Sequence, residues 1–218
     1  AQMRTMIMDE GQAISKIKEG KIPTNPFSEG KKNRESVVRK GRFTIEKKLS
    51  PDFKLIIKQN AHFTFLLKEL KEQYPCYTVI RNPLATMASW NSINAPVSRG
   101  NLTVLKGIDP ELYKRLEDIP DLIDRQLKLL DEIFSTYSIL CDEEIIRYEE
   151  ITTSGGVALT KIDPGAKELR ESLENKNLAK NYDAGLIEKL ASRLTKNEGA
   201  WKQFYTLSDI EQLANLYI

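Results

Sequence analysis

The sequence predicts an α/β fold in which a short parallel β-sheet is flanked by helices. Three observations carry that expectation. Runs rich in β-branched and aromatic residues occur at Lys54-Leu55-Ile56-Ile57-Lys58, Tyr77-Thr78-Val79-Ile80 and Glu144-Ile145-Ile146-Arg147-Tyr148. Segments with apolar residues at helical spacing lie between and after these runs, and alternating strands and helices are the pattern of parallel βαβ units. The chain has 218 residues, 40% of them hydrophobic, which is enough for one sizeable core, so a single domain over residues 1–218 is expected.

Taken in order, residues 3–18 place Met3, Met6, Ile7, Ile14 and Ile17 on one face of a helix, with Gly20 as its stop. Residues 23–43 read as a loop or lid, punctuated by Pro23, Pro26, Gly30 and Gly41 and made basic by Lys31, Lys32, Arg34, Arg39, Lys40 and Arg42. The run at 54–58 suits a buried strand, 63–74 a helix, 77–80 a second strand and 84–90 a second helix. An irregular connection follows at 95–107. Asp109-Pro110 then opens a helix, 119–134 forms a longer one, and 144–148 is the third strand. Helices are expected at 164–173, 184–194 and 207–218, while Trp201 and Phe204 read as core.

Composition narrows the function classes. Charged residues make up 29% of the chain with a formal net charge of +2, a balance that gives no argument for a nucleic-acid partner. No apolar run approaches the ~20 residues that span a bilayer, so no membrane span is expected. The opening residues lack the pattern of a signal peptide, and two cysteines, Cys76 and Cys141, make no disulfide framework; a reducing, cytoplasmic setting is expected. With one histidine, His62, and cysteines far apart, no metal site is expected.

The chemistry concentrates where the second strand meets its helix. The strand ends at Arg81, Asn82 is placed to cap the helix, and Pro83 suits its first position. Ligands of open α/β sheets gather at the carboxyl ends of strands, and a helix amino terminus offers N–H groups and positive dipole character. Arg81 adds a planar fork of donors suited to phosphate, and Ser89 a hydroxyl further along the same helix. The alternative is an ordinary strand-to-helix junction with Arg81 in a surface salt bridge.

Here the chain resembles the sulfotransferases that use 3′-phosphoadenosine 5′-phosphosulfate (PAPS). In that family an arginine ending a strand, often before Asn-Pro or Asp-Pro, binds the 3′-phosphate together with a serine eight positions on; Arg81, Asn82-Pro83 and Ser89 match. Lys54 to Lys58, followed by Gln59-Asn60-Ala61-His62, is similar to the family's strand ending in a lysine before its catalytic residue. Ile145-Ile146-Arg147-Tyr148-Glu149-Glu150 is similar to its strand followed by Tyr-Glu-Asp, whose tyrosine lies near the adenine. Gly199-Ala200-Trp201-Lys202 resembles, more loosely, a Gly-Asp-Trp-Lys stretch, although the basic Arg-Lys-Gly run that should precede it is not matched. The pattern extends over about three quarters of the chain.

The resemblance implies a P-loop NTPase-like sulfotransferase architecture. It implies PAPS as co-substrate without a metal, and a small-molecule or glycan acceptor carrying a hydroxyl or amine. Arg81 and Ser89 would hold the 3′-phosphate, Tyr148 would sit by the adenine, Lys58 would stabilise the leaving group, and His62 would be the base. Two departures bear on this. Asn60 stands where cytosolic relatives have histidine, with His62 two positions further on. The family's amino-terminal Lys-Ser-Gly-Thr-Thr or Arg-Ser-Gly-Thr-Thr loop for the 5′-phosphosulfate is missing, and no GxxxxGK(S/T) occurs. Either the chain starts past that loop, which the spacing before Lys54 favours, or the protein has lost it. The competing classes are a non-catalytic nucleotide- or protein-binding module of the same fold and a nucleotide-dependent kinase. Residue types alone do not name the acceptor.

Overall fold

The computed structural model describes residues 2–30, 33–179 and 182–217, and the chain divides into two compact units, Ala1–Lys58 and Gln59–Ile218. In the first unit, helix α1 (Gln2–Glu10) stops at Gly11, which takes φ +62° and donates its N–H to the Ile7 carbonyl at 3.2 Å. Strand β1 (Gln12–Ile17) follows and pairs antiparallel with β2 (Arg39–Thr44), in register from Gln12↔Thr44 to Ile17↔Arg39. The single helix expected over 3–18 is therefore two elements. Gly11 adopts the left-handed backbone that other residues avoid, and beyond it Ala13 is buried while Ile14 faces out, the alternation of a strand.

The expected lid is irregular through most of its length but ends in β2, which takes up Arg39, Lys40 and Arg42. Lys31 and Lys32 lie outside the described residues. Residues 54–58 form no strand. Ile56 and Ile57 are 66% and 49% exposed, and among the described residues the run has no ladder partner. β-propensity alone does not make a strand, because the pleated backbone needs a neighbour for its N–H and C=O groups.

The second unit begins with α2 (Asn60–Phe65) and α3 (Leu67–Lys71), which Leu66 separates where one helix was expected. Strand β3 (Thr78–Ile80) leads through Arg81 into α4 (Pro83–Trp90). Then come α5 (Leu105–Ile108), α6 (Pro110–Glu117) and the long α7 (Leu122–Thr136). Strand β4 (Ile145–Arg147) runs directly into α8 (Tyr148–Thr153), and α9 (Ala184–Lys196) and α10 (Leu207–Asn215) complete the unit. The stretch at 164–173, expected as a helix, holds only a 3-10 turn at Pro164–Glu168. Leu173 is exposed, so the segment has no apolar stripe to bury.

Helix starts follow the local chemistry of the sequence. Asn82, Asp109, Asp121, Asp183 and Thr206 each accept a hydrogen bond from a backbone N–H of the first turn, and Pro83 and Pro110 open α4 and α6. β3 and β4 pair in parallel, Thr78↔Ile145 to Ile80↔Arg147. The unit is thus a mixed helical fold around a short parallel pair. Leu84, Met87, Leu130, Ile187, Leu190, Leu194, Trp201 and Ile210 form its main core, all but fully buried. Because α4 is apolar on nearly all sides, with Leu84, Ala85 and Met87 at 0% exposure, it is an interior helix that fixes the end of β3. Leu84→Ala is expected to cost about 2–5 kcal/mol and Leu216→Ala, at a 67% exposed position, about 0.5 kcal/mol or less; urea denaturation of the two variants measures the contrast.

Candidate functional site

Parallel pairing of β3 with β4 sets the site. Ile80 lies opposite Arg147, so the next residue of each strand, Arg81 and Tyr148, emerge side by side at the carboxyl end of the pair. The Arg81 guanidinium lies over the Tyr148 ring, 5.0 Å from its centroid. Its Nε donates to Asn177 Oδ1 at 2.6 Å, and Nη2 donates to the Lys176 carbonyl at 2.6 Å and to the Tyr182 hydroxyl at 3.3 Å. Every one of these partners is neutral. Among the described residues no carboxylate forms an ion pair with Arg81, and Nη1 has no hydrogen-bond partner. The salt bridge that would make Arg81 an ordinary surface residue is not found there.

The start of α4 is occupied from within. Asn82 Oδ1 accepts from Leu84 N at 3.0 Å, and Asn82 N donates to Glu149 Oε1 at 3.0 Å. Glu149 also accepts from Asn177 Nδ2 at 2.6 Å and, through Oε2, from the Tyr205 hydroxyl at 2.9 Å. A carboxylate of the protein therefore takes the place at the helix amino terminus where the sequence invited a phosphate.

Ser89 sits near the end of α4, half-buried, and its hydroxyl has no hydrogen-bond partner among the described residues. Tyr148 begins α8; its hydroxyl donates to the Glu174 carbonyl at 3.2 Å and accepts from Lys176 N at 2.8 Å. His62 is exposed in α2, whose Thr64 Oγ1 lies 3.2 Å from the hydroxyl of Tyr137, the residue that caps the carboxyl end of α7. Among the described residues no hydrogen bond or ring contact joins His62 to Arg81, Ser89 or Tyr148. Lys58 is exposed at the end of the first unit. The structure thus brings Arg81 and Tyr148 together and leaves His62 apart from their network. No family model, curated protein or solved structure matches the chain.

Sequence reasoning passed over Glu149, Asn177, Tyr182 and Tyr205. Glu149 stood within the quoted Tyr-Glu-Glu motif; Asn177 and Tyr182 carry no local signal, because they reach Arg81 only through contacts spanning about a hundred positions. Next to this network lies a cleft of about 270 Å³ bordered by Glu149, Asn177, Arg147, Asp209 and Leu216. Its polar groups are largely engaged: Arg147 donates to the Phe204 carbonyl and lies over Tyr205, and Asp209 closes a capping box with Thr206. It is a seam between segments. Among the described residues no cluster of three or more metal-ligating side chains occurs.

Burial and the adjacent Glu149 charge push the Tyr205 hydroxyl well above the usual tyrosine range. Tyr217, whose hydroxyl donates to the Asn177 carbonyl, is pushed up to about 12 by burial and by neighbouring Tyr182. Both groups hold their protons in the folded state at a pH where the unfolded chain releases them. Their contribution to stability is complete below pH ~10 and is lost as the pH rises above it. Tyr205→Phe is expected to cost about 1–3 kcal/mol at pH 7.5, because Glu149 loses a donor. The gap to the parent protein should narrow by pH ~11 as the parent alone loses this term; urea titrations at the two pH values test both signs.

Proposed function

We propose that the protein is a sulfotransferase-type α/β protein that binds PAPS and passes its sulfuryl group to a hydroxyl or amine of a small-molecule or glycan acceptor. The observation that carries this reading is Arg81: a half-buried guanidinium at the carboxyl end of a parallel strand pair, stacked on Tyr148 and with only neutral partners among the described residues. A half-buried guanidinium without an acid beside it among the described residues keeps its charge available to an arriving anion. A phosphate meeting Nη1 supplies that anion in the geometry a guanidinium favours.

In this reading Arg81 takes the 3′-phosphate, the Ser89 hydroxyl is the second donor, and Tyr148 offers the adenine the ring face that Arg81 does not cover. The same reading takes the parallel β3–β4 pair and its flanking helices as part of a P-loop NTPase-like sulfotransferase fold. The acceptor oxygen or nitrogen forms a bond to sulfur while the bond from sulfur to the bridging phosphate oxygen breaks. The acceptor proton passes to a base, for which His62 is the candidate. The electron pair leaves on the bridging oxygen as 3′,5′-adenosine bisphosphate, with Lys58 the candidate for stabilising that charge. Positioning and charge stabilisation do the catalytic work, as in phosphoryl transfer, and the chemistry calls for no metal.

A second reading is a non-catalytic module in which Arg81 is purely structural; the hydrogen bonds that already occupy Nε and Nη2 favour it. Calorimetric titration with 3′,5′-adenosine bisphosphate separates the two. Binding is expected, weakened by Arg81→Ala by about 1.5–3 kcal/mol, or roughly one to two decades in affinity, with ATP much the poorer ligand. A parent protein that does not bind the bisphosphate, or binds it equally well without Arg81, returns Arg81 to a structural role. Equal affinity for ATP points instead to a kinase-like site.

A further inference from the structure

We infer that Asn177 is a positioning residue for Arg81: it grips the guanidinium on its Nε side so that the outer edge is left for the 3′-phosphate. The inference rests on the nucleotide reading above and adds to it the device that sets phosphate selectivity.

Asn177 is 4% exposed and lies in a short 3-10 turn, Lys176–Leu178. Its amide is used at both ends. Oδ1 accepts from Arg81 Nε at 2.6 Å, and Nδ2 donates to Glu149 Oε1 at 2.6 Å. The backbone of the same residue is anchored too, its N–H donating to Asn175 Oδ1 at 2.9 Å and its carbonyl accepting from Tyr217. Chemistry fixes the rotamer: a flipped amide would face its NH₂ to the guanidinium and its oxygen to the carboxylate, two repulsions in place of two charge-assisted bonds.

The neutral amide also keeps the two charges apart. Direct contact between Arg81 and Glu149 would neutralise the guanidinium in a bidentate pair and consume an edge of its fork. With Asn177 between them, Glu149 orients Arg81 at one remove and the positive charge stays available. Nε and one bond of Nη2 are held by the 176–177 turn. What remains, among the described residues, is Nη1 and the longer Nη2 contact to Tyr182 at 3.3 Å, so an anion arriving end-on displaces at most one weak partner of these. The same turn donates Lys176 N to the Tyr148 hydroxyl, so a single short segment sets both the cation and the ring.

The test compares affinities for 3′,5′-adenosine bisphosphate and 5′-AMP, whose ratio reports the 3′-phosphate alone. Asn177→Ala is expected to lower that ratio roughly tenfold, and Arg81→Ala/Asn177→Ala to match Arg81→Ala alone, because the amide acts only through the guanidinium. Asn177→Asp supplies an independent readout. At pH 7.5 the introduced carboxylate repels Glu149 and competes for Arg81, and the ratio falls. At pH 5 protonation of the introduced acid restores its hydrogen bond to Glu149, and the ratio relative to the parent protein recovers. If Asn177→Ala leaves the ratio unchanged while Arg81→Ala lowers it, or the two losses add, Asn177 is structural only. An Asn177→Asp ratio that does not respond to pH overturns the inference as well. If the parent protein does not discriminate the two ligands, the nucleotide reading itself falls.

Discussion

The second unit is organised around one carboxylate. Glu149 receives three donors from three separate stretches of chain: the backbone N–H of Asn82, the amide of Asn177 and the hydroxyl of Tyr205. Half-buried charge of this kind is tolerable only when its lone pairs are answered, and here the positive end of α4 adds a further favourable term. Each of those donors has a second duty. Asn82 caps α4, Asn177 holds Arg81, and Tyr205 carries the Arg147 guanidinium over its ring at 4.8 Å. Arg81, with which the sequence suggested ligand chemistry, is therefore set through Asn177 by a group that need not touch a ligand.

Much of the second unit was legible in advance because its signals are local. Asn82-Pro83 and Asp109-Pro110 announce helix starts with a side-chain cap and a pre-set φ, and both helices begin where those residues stand. The runs at 77–80 and 144–148 become β3 and β4, and Trp201 enters the core at 2% exposure. The placement of Arg81 beside Tyr148 follows from two motifs and one assumption, that their strands pair in parallel. The strand register bears that assumption out.

What was not legible depends on partners distant in sequence. The run at 54–58 has the composition of a strand but no ladder to join among the described residues, and composition does not reveal whether a ladder exists. Residues 3–18 fit both a helical stripe and, past Gly11, a strand alternation; pairing with residues 39–44 decides in favour of the strand. Asn177 resembles any loop asparagine until the chain folds back on Arg81. The helix amino terminus looked open to a phosphate because nothing near Asn82 in sequence announces that Glu149, 67 residues later, fills it.

The Glu149 knot gathers residues 82, 149, 177 and 205, so its loops close over most of the second unit. Contacts of such long sequence separation close large loops, whereas the helices rest on local contacts. The guanidinium therefore acquires its orientation only when the whole unit has folded, and a partly folded chain carries the same arginine without the same site. A ligand that selected the oriented Arg81 would draw the network into its ordered state with it, and a loosening of α10 or of the 174–179 segment would be felt at the guanidinium from a distance.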